Sequence, residues 1–347
     1  MRLRDFADKL GLSPTTVSRA LAGYPEVRAK TRLRILREAA RYGYRPNSAA
    51  VGLATGRAGA IGVIFDRAMQ SHSVEFIAGV GEALVECGSE LSVAPLASGS
   101  EERDVEACDR LVKSGRIDAA ILCAPVTGDH RLMSMQEQGL PCLLFGRASG
   151  YPLHAWLDID TTALTRRAVD YLISLAHRRI AMINAPSDQY LSGRREAGYR
   201  QALHAAAISY DPEIIANGDL TETNGFLFTR AFLNLPTRPT AIVTGTTESA
   251  LGIYRAARSC SLIVGRDLSV VAHDDRLAAM RAEHMDPVLT STRASLRCAG
   301  RRAGELVLKL IAGQPADTVH EEWRAEFFVG KSSCQYHDQA DKKEGNC

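Results

Sequence analysis

The chain has no cysteine pairing pattern and no apolar run long enough to cross a membrane. Its eight cysteines are scattered, without a C-x-x-C and without a His/Cys cluster at metal spacing. Reduced thiols are expected, rather than zinc sites or disulfides. No apolar stretch approaches the ~20 residues of a membrane span. MRLRDFADKL lacks the features of a signal peptide, so a cytoplasmic location is expected. Catalytic signatures are also missing. There is no Walker A sequence, no G-x-S-x-G and no H-E-x-x-H, and GVGEAL lacks the final glycine of a dinucleotide fingerprint. The nine histidines are dispersed, and Asp274-Asp275 is an adjacent pair rather than two carboxylates set across a substrate. Neither enzymatic activity nor a cofactor nor a metal is expected. What the chain does have is 46% apolar content, enough for a substantial core, and an uneven distribution of charge.

Residues 1–60 contain twelve Lys or Arg against four Asp or Glu, a net of +8, while the whole chain is only +2, so the remainder carries about −6. A basic head that can release counterions from a polyanion is joined to an acidic body that cannot. In LRDFADKLGLSPTTVSRALAGYPEV, Leu3, Phe6, Ala7 and Leu10 fall at i, i+3, i+4 and i+7, and Gly11 is placed to end that helix in a left-handed cap. Ser13 caps the next helix and Pro14 occupies its first position, while Val17, Ala20 and Leu21 face inward. Thr15, Thr16, Ser18 and Arg19 remain outward. Such a face suits a solvated helix on any small domain; with the charge asymmetry it points to phosphates and base edges in a DNA major groove.

The run LSPTTVSRALAGYPEV, followed by TRLRILREAARYGYRPNSAAVGLATGRAGAIGV, resembles the amino-terminal region of lactose-repressor (LacI) family transcription regulators, and the resemblance extends over most of the chain. It implies that the helix from Pro14 is the recognition helix, that Ser13, Thr15, Thr16, Ser18, Arg19 and Asn47 contact DNA, and that Leu53 is the hinge leucine wedged into the minor groove. A third helix would run through Leu33, Leu36 and Ala40. The chain departs from the family pattern at Ala22, where asparagine is usual, at Arg28, where a serine usually caps the third helix, and at Val51, where the hinge normally carries a basic residue. Gly52 lowers the hinge's helicity by roughly 1 kcal/mol relative to alanine.

Apolar runs at AIGVIF, ELSVAP, AAILCAP, PCLLFG, RRIAMIN, TAIVTG and LSVVAH alternate with helical stretches, which predicts an α/β body with parallel sheets. So many strands and a break near Trp156–Asp160 favour two lobes. The resemblance implies a periplasmic-binding-protein-like clamshell in which LTSTRASLRCAGRRAGELVLKLIAG returns to the first lobe. The expected division is a helix-turn-helix head over 1–46, a hinge and linker over 47–59, an effector-binding and dimerisation body over 60–331, and a loose tail over 332–347.

Ligands of open α/β sheets bind beyond the carboxyl ends of strands, which selects Asp66, Arg147, Thr246 and Asp274. The resemblance supports Arg195, Asp274, Arg147 and Thr246 as effector contacts through SGRREAGYRQAL, SVVAHDD and FGR. Trp156 is a further candidate, as a stacking surface for a pyranose or as simple hydrophobic packing. A carboxylate and a guanidinium can each engage two neighbouring sugar hydroxyls, so a sugar is the leading ligand class. HSVEFIAGVGEAL, LLFGR and AWLDID are most similar to a branch that includes α-glucoside regulators. His273, Thr246-Thr247, Thr161 and Ser73 depart from the usual residues.

The expected function is a homodimeric repressor of carbohydrate-metabolism genes on a near-palindromic operator, controlled by a small-molecule effector. The alternative is a cytosolic sugar-binding protein whose head docks a protein partner. Steep salt dependence would distinguish DNA from such a partner.

Overall fold

The computed structural model describes residues 1–21, 24–44, 57–66, 70–96, 101–123, 125, 126, 128–147 and 154–337. Three helices form the head: α1 (Leu3–Leu10), α2 (Pro14–Leu21) and α3 (Ala29–Arg41). Phe6, Ala7, Leu10, Val17, Ala20, Ile35, Ala39 and Tyr44 make its core. Gly11 ends α1 at φ 64°, in the left-handed region where the absence of a Cβ matters, and its N–H donates to Ala7 O and Asp8 O. In α3 the inward face is Ile35 and Ala39; Leu33 and Leu36, although at helical spacing, are exposed. Arg28 precedes α3 without capping it through its side chain.

The body has two lobes, each built on a six-stranded sheet. The first contains β1 (Ala60–Asp66), β2 (Glu90–Leu96), β3 (Ala119–Cys123), β4 (Cys142–Phe145), β5 (Ala155–Ile159) and β11 (His320–Trp323), in the order β11-β5-β4-β3-β1-β2. All its pairings are parallel. The second contains β6 (Ile180–Asn184), β7 (Ile215–Asn217), β8 (Ala241–Thr244), β9 (Ser269–Asp274), β10 (Thr290–Arg293) and β12 (Glu326–Phe328), in the order β12-β10-β9-β8-β6-β7. Only β12 runs antiparallel to its neighbour.

Helices α4 (Gln70–Cys87), α5 (Glu101–Lys113), α6 (His130–Glu137) and α11 (Leu296–Ile311) serve the first lobe, and α7 (Thr161–Ser174), α8 (Tyr190–Ala205), α9 (Glu222–Leu233) and α10 (Thr247–Ser259) the second. Glycines let α4 and α11 approach closely: a Cβ on Gly79 would lie 2.0 Å from Arg297 O, and one on Gly300 2.0 Å from Phe76 O. All seven apolar runs are strands, and the segment from Leu289 returns the chain to the first lobe through β10 and α11.

Among the described residues the chain crosses between lobes three times, at Asp160, at Ala294-Ser295 and at Arg324-Ala325. Asp160 N–H donates to Trp323 O at 2.8 Å, tying the first crossing to the third. Residues 332–337, expected to open a loose tail, pack instead on the second lobe, and residues 338–347 lie outside the described residues. Ser332 is fully buried, its hydroxyl donates to Val270 O at 2.6 Å, and Tyr336 N–H donates to Leu175 O. Buried Ser and Thr groups of the second sheet need partners, and this polar segment supplies them. Among the described residues no helix is long and apolar enough to cross a membrane.

Candidate functional site

In the head, Ser13 Oγ accepts the Thr16 N–H at 3.1 Å, and the two hydroxyls lie 2.8 Å apart. This is the expected cap of α2. It aims the helix with Thr15 and Arg19 exposed and Thr16 and Ser18 half-buried. Arg34 Nη2 donates to Leu10 O at 3.1 Å, covering the carbonyl end of α1, and Tyr44 stacks on Phe6 at 4.4 Å. Asn47 and Leu53 lie outside the described residues.

The effector candidates fall into two groups. In the second lobe, Arg195 on α8 is buried, and its Nη2 donates to Gly245 O at 3.5 Å while Nε and Nη1 have no hydrogen-bond partner. Burial lowers its pKa to about 10 against the opposing charge of Asp275. The guanidinium lies against Gly245, where a Cβ would sit 2.8 Å from Arg195 Cζ. Beside it a cavity of about 10 Å³, lined also by Thr165, Thr244, His273 and Thr292, is of the order of a single water.

Asp274, at the end of β9, is 1% exposed. Its Oδ1 accepts the Arg276 N–H at 2.8 Å, and Oδ2 accepts no hydrogen bond, with Arg293 Nε at 3.7 Å. Burial raises its pKa, opposed by the Arg276 N–H and Arg293. The carboxylate whose charge acts on Arg195 is therefore Asp275, not Asp274. Thr246 caps α10, accepting the Ser249 N–H at 3.1 Å and donating to Leu220 O at 2.9 Å, so its hydroxyl is already engaged.

In the first lobe, Arg147 follows β4 and its guanidinium lies 3.8 Å from the centre of the Trp156 ring. It pairs with Asp158 at 3.2 Å and with Glu322. Trp156 also stacks on His320 at 5.1 Å. Asp66 is the last residue of β1. A wider cavity, about 610 Å³, runs along the crossings beside Arg276, Arg293, Glu322 and Arg324, and none of Arg147, Trp156, Arg195, Thr246 and Asp274 lines it.

Sequence reasoning missed three groups at these places. His273 Nδ1 pairs with Thr292 Oγ1 at 2.9 Å and its Nε2 lies 3.3 Å from Asp275. Arg293 binds Glu283 at 3.1 Å and stacks over Phe328. Arg194 joins the two lobes. Arg293 obeys the strand-end rule that selected Asp274, but its strand, TSTR, is polar and gave no apolar signal.

Comparison with known proteins accounts for both parts of the chain. Residues 2–47 match the bacterial regulatory proteins of the lacI family, and residues 58–328 match the periplasmic binding proteins and sugar binding domain of the LacI family. The HTH-type transcriptional regulator AglR of Rhizobium meliloti (strain 1021) is 38% identical over 338 residues, which covers 96% of this chain and 94% of that protein. RafR of Escherichia coli, also an HTH-type transcriptional regulator, is 34% identical over 341 residues, covering 96% and 98%. The crystal structure of the Lac repressor dimer bound to operator and the anti-inducer ONPF superposes with a TM-score of 0.84 at 26% identity, covering 96% of this chain and 99% of that one. A CelR–cellobiose complex gives 0.73 at 27% identity, covering 96% and 100%. These matches do not favour a head that docks a protein instead of DNA. The chain, a helix-turn-helix transcriptional regulator, belongs to the LacI family of bacterial regulatory proteins.

Proposed function

We propose that this regulator is a homodimeric repressor of carbohydrate-metabolism genes whose operator affinity is set by a sugar bound between the lobes. The observation that carries the reading is the state of Arg195 and Asp274. Each is buried and retains polar atoms without a hydrogen-bond partner, Nε and Nη1 on one and Oδ2 on the other. Leaving such groups unsatisfied costs about 1–3 kcal/mol each, and vicinal hydroxyls have the donors and acceptors to recover it. Among the solved neighbours, CelR was captured with cellobiose, which supports the same ligand class here.

In this reading, the head over 1–46 contacts a half-site with Thr15, Thr16, Ser18 and Arg19, and the hinge over 47–59 adds Asn47 and Leu53. The dimer pairs two such heads with a near-palindrome. The body from residue 60 holds the effector through Arg195 and Asp274, with Arg147, Trp156, Thr246 and Asp66 at the edges. No catalytic step is needed, and the protein acts in the cytoplasm, where operator and metabolite meet. Thermal unfolding across mono- and disaccharides, with nucleosides as a contrasting class, tests the ligand. A hundredfold excess over the dissociation constant adds about 2.7 kcal/mol to stability. A selective rise with one sugar is expected; no response to any sugar would remove that ligand class.

A further inference from the structure

At the place where the chain first crosses between lobes, Arg194 engages four groups with one guanidinium. Its Nε donates to Thr162 Oγ1 at 3.0 Å, Nη1 to Asp158 Oδ2 at 3.3 Å and Nη2 to Asp160 Oδ1 at 2.9 Å, and Glu322 Oε1 lies 3.6 Å from Nη2. Thr162 belongs to the second lobe, Asp160 is the crossing itself, and Asp158 and Glu322 belong to the first. Arg147 closes the network from the end of β4 by pairing with Asp158 and Glu322. Two guanidinium groups and three carboxylates thus lie across the first and third crossings.

We propose that Arg194 is a positioning residue that latches the two lobes at a fixed angle, and that it links the neighbouring Arg195 pocket to the crossings through α8. Arg194 is on the same helix turn as Arg195, so a movement of α8 that tightens one side chain's contacts changes the other's. The latch concerns the angle alone; its consequence for operator binding rests on the function proposed above.

Asp158 makes the latch sensitive to pH. Its side chain is 5% exposed. Burial raises its pKa to about 6, against the pull of Arg194 and Arg147. It is faced by Arg147 from the end of β4, by Arg194 from α8 and by Glu322 from β11, with Asp160 two residues along its own strand's exit. His320, two residues before Glu322, is held by its Nε2 to His154 O at 3.0 Å. As pH falls through about 6, Asp158 takes up a proton and leaves the two arginines to share Asp160 and Glu322.

The test is the distance between lobes in the ligand-free full chain, read by energy transfer between dyes on unnatural amino acids at the exposed positions Glu137 and Gln201. Dimers carrying one labelled chain keep the signal within a subunit. The wild-type efficiency should shift between pH 7.5 and pH 5 with a midpoint near 6. Arg194→Gln should show the low-pH efficiency throughout, Arg194→Lys should recover part of the shift, and Asp158→Asn, of nearly the same shape, should be flat with pH. An Arg194→Gln protein with the wild-type efficiency and profile would overturn the latch, as would an Asp158→Asn protein that keeps the wild-type transition near pH 6. Neither readout uses a sugar, so failure of the sugar reading leaves this result standing.

Discussion

Arg194 and Arg195 are consecutive on α8, yet one is shared between lobes and the other is enclosed in the second. Arg194 reaches Asp158 of the first lobe at 3.3 Å, while Arg195 lies against Gly245 with two nitrogens lacking hydrogen-bond partners. In the proposed function, α8 carries the effector-contacting cation beside the interlobe one, a short mechanical route from cleft to crossing.

Arg195→Met should separate binding from folding. The substitution removes a buried guanidinium whose one hydrogen bond is long, so stability should be unchanged or raised by up to about 1–3 kcal/mol. The sugar-induced thermal shift should disappear. Urea unfolding and the same sugar panel check both parts; a large loss of stability would mean that Arg195 supports the fold instead.

Arg19→Ala should weaken discrimination rather than general affinity for DNA. Arg19 is exposed on α2, with a guanidinium suited to a base edge. Losing a bidentate base contact costs roughly 1–3 kcal/mol of discrimination against the wrong base. Titrating operator and random DNA at one salt concentration measures it, and equal losses on both would assign Arg19 to phosphate.

Ser13→Ala should loosen the head alone. The loss of one helix cap costs about 1 kcal/mol, visible as a lower unfolding midpoint of the head with the body transition unchanged. Ser13→Asp, which keeps an acceptor for the Thr16 N–H, should restore it.

The second lobe should lose stability in mild acid through His177. Burial lowers its pKa, and its ring bonds Thr240 Oγ1 at 2.8 Å and Ser269 Oγ at 2.9 Å. The unfolded chain then binds more protons between the folded and unfolded pKa values, so stability falls as pH drops below the ordinary histidine value of about 6.5. His177→Gln should flatten that part of the profile. Urea midpoints from pH 8 to pH 5 check it, and an unchanged slope in the variant would place the acid sensitivity elsewhere.

Much of the fold was legible because parallel strands buried on both faces read as continuous apolar runs. The buried TSTR of β10 was not, since its polar groups find partners such as Ser332, Ser333 and His273 from distant parts of the chain. In the head, Phe6, Ala7 and Leu10 followed the helical period, but α3 presented two apolar faces and only tertiary packing selects Ile35 over Leu36. The strand-end rule located Arg147 and Asp274 without revealing their partners. Arg147 meets Glu322 from 175 residues away, and no local pattern records that. Arg194 and Arg195 likewise look alike in SGRREAGY until the lobes are assembled.

In the proposed mechanism, occupancy of the cleft sets operator affinity. An operator selected from random-sequence DNA with the purified protein would be titrated by fluorescence anisotropy, without sugar and with the sugar that raises the unfolding temperature. A change of roughly 5- to 150-fold, or about 1–3 kcal/mol, is predicted. Unchanged operator affinity at saturating sugar would rule out coupling between cleft and head.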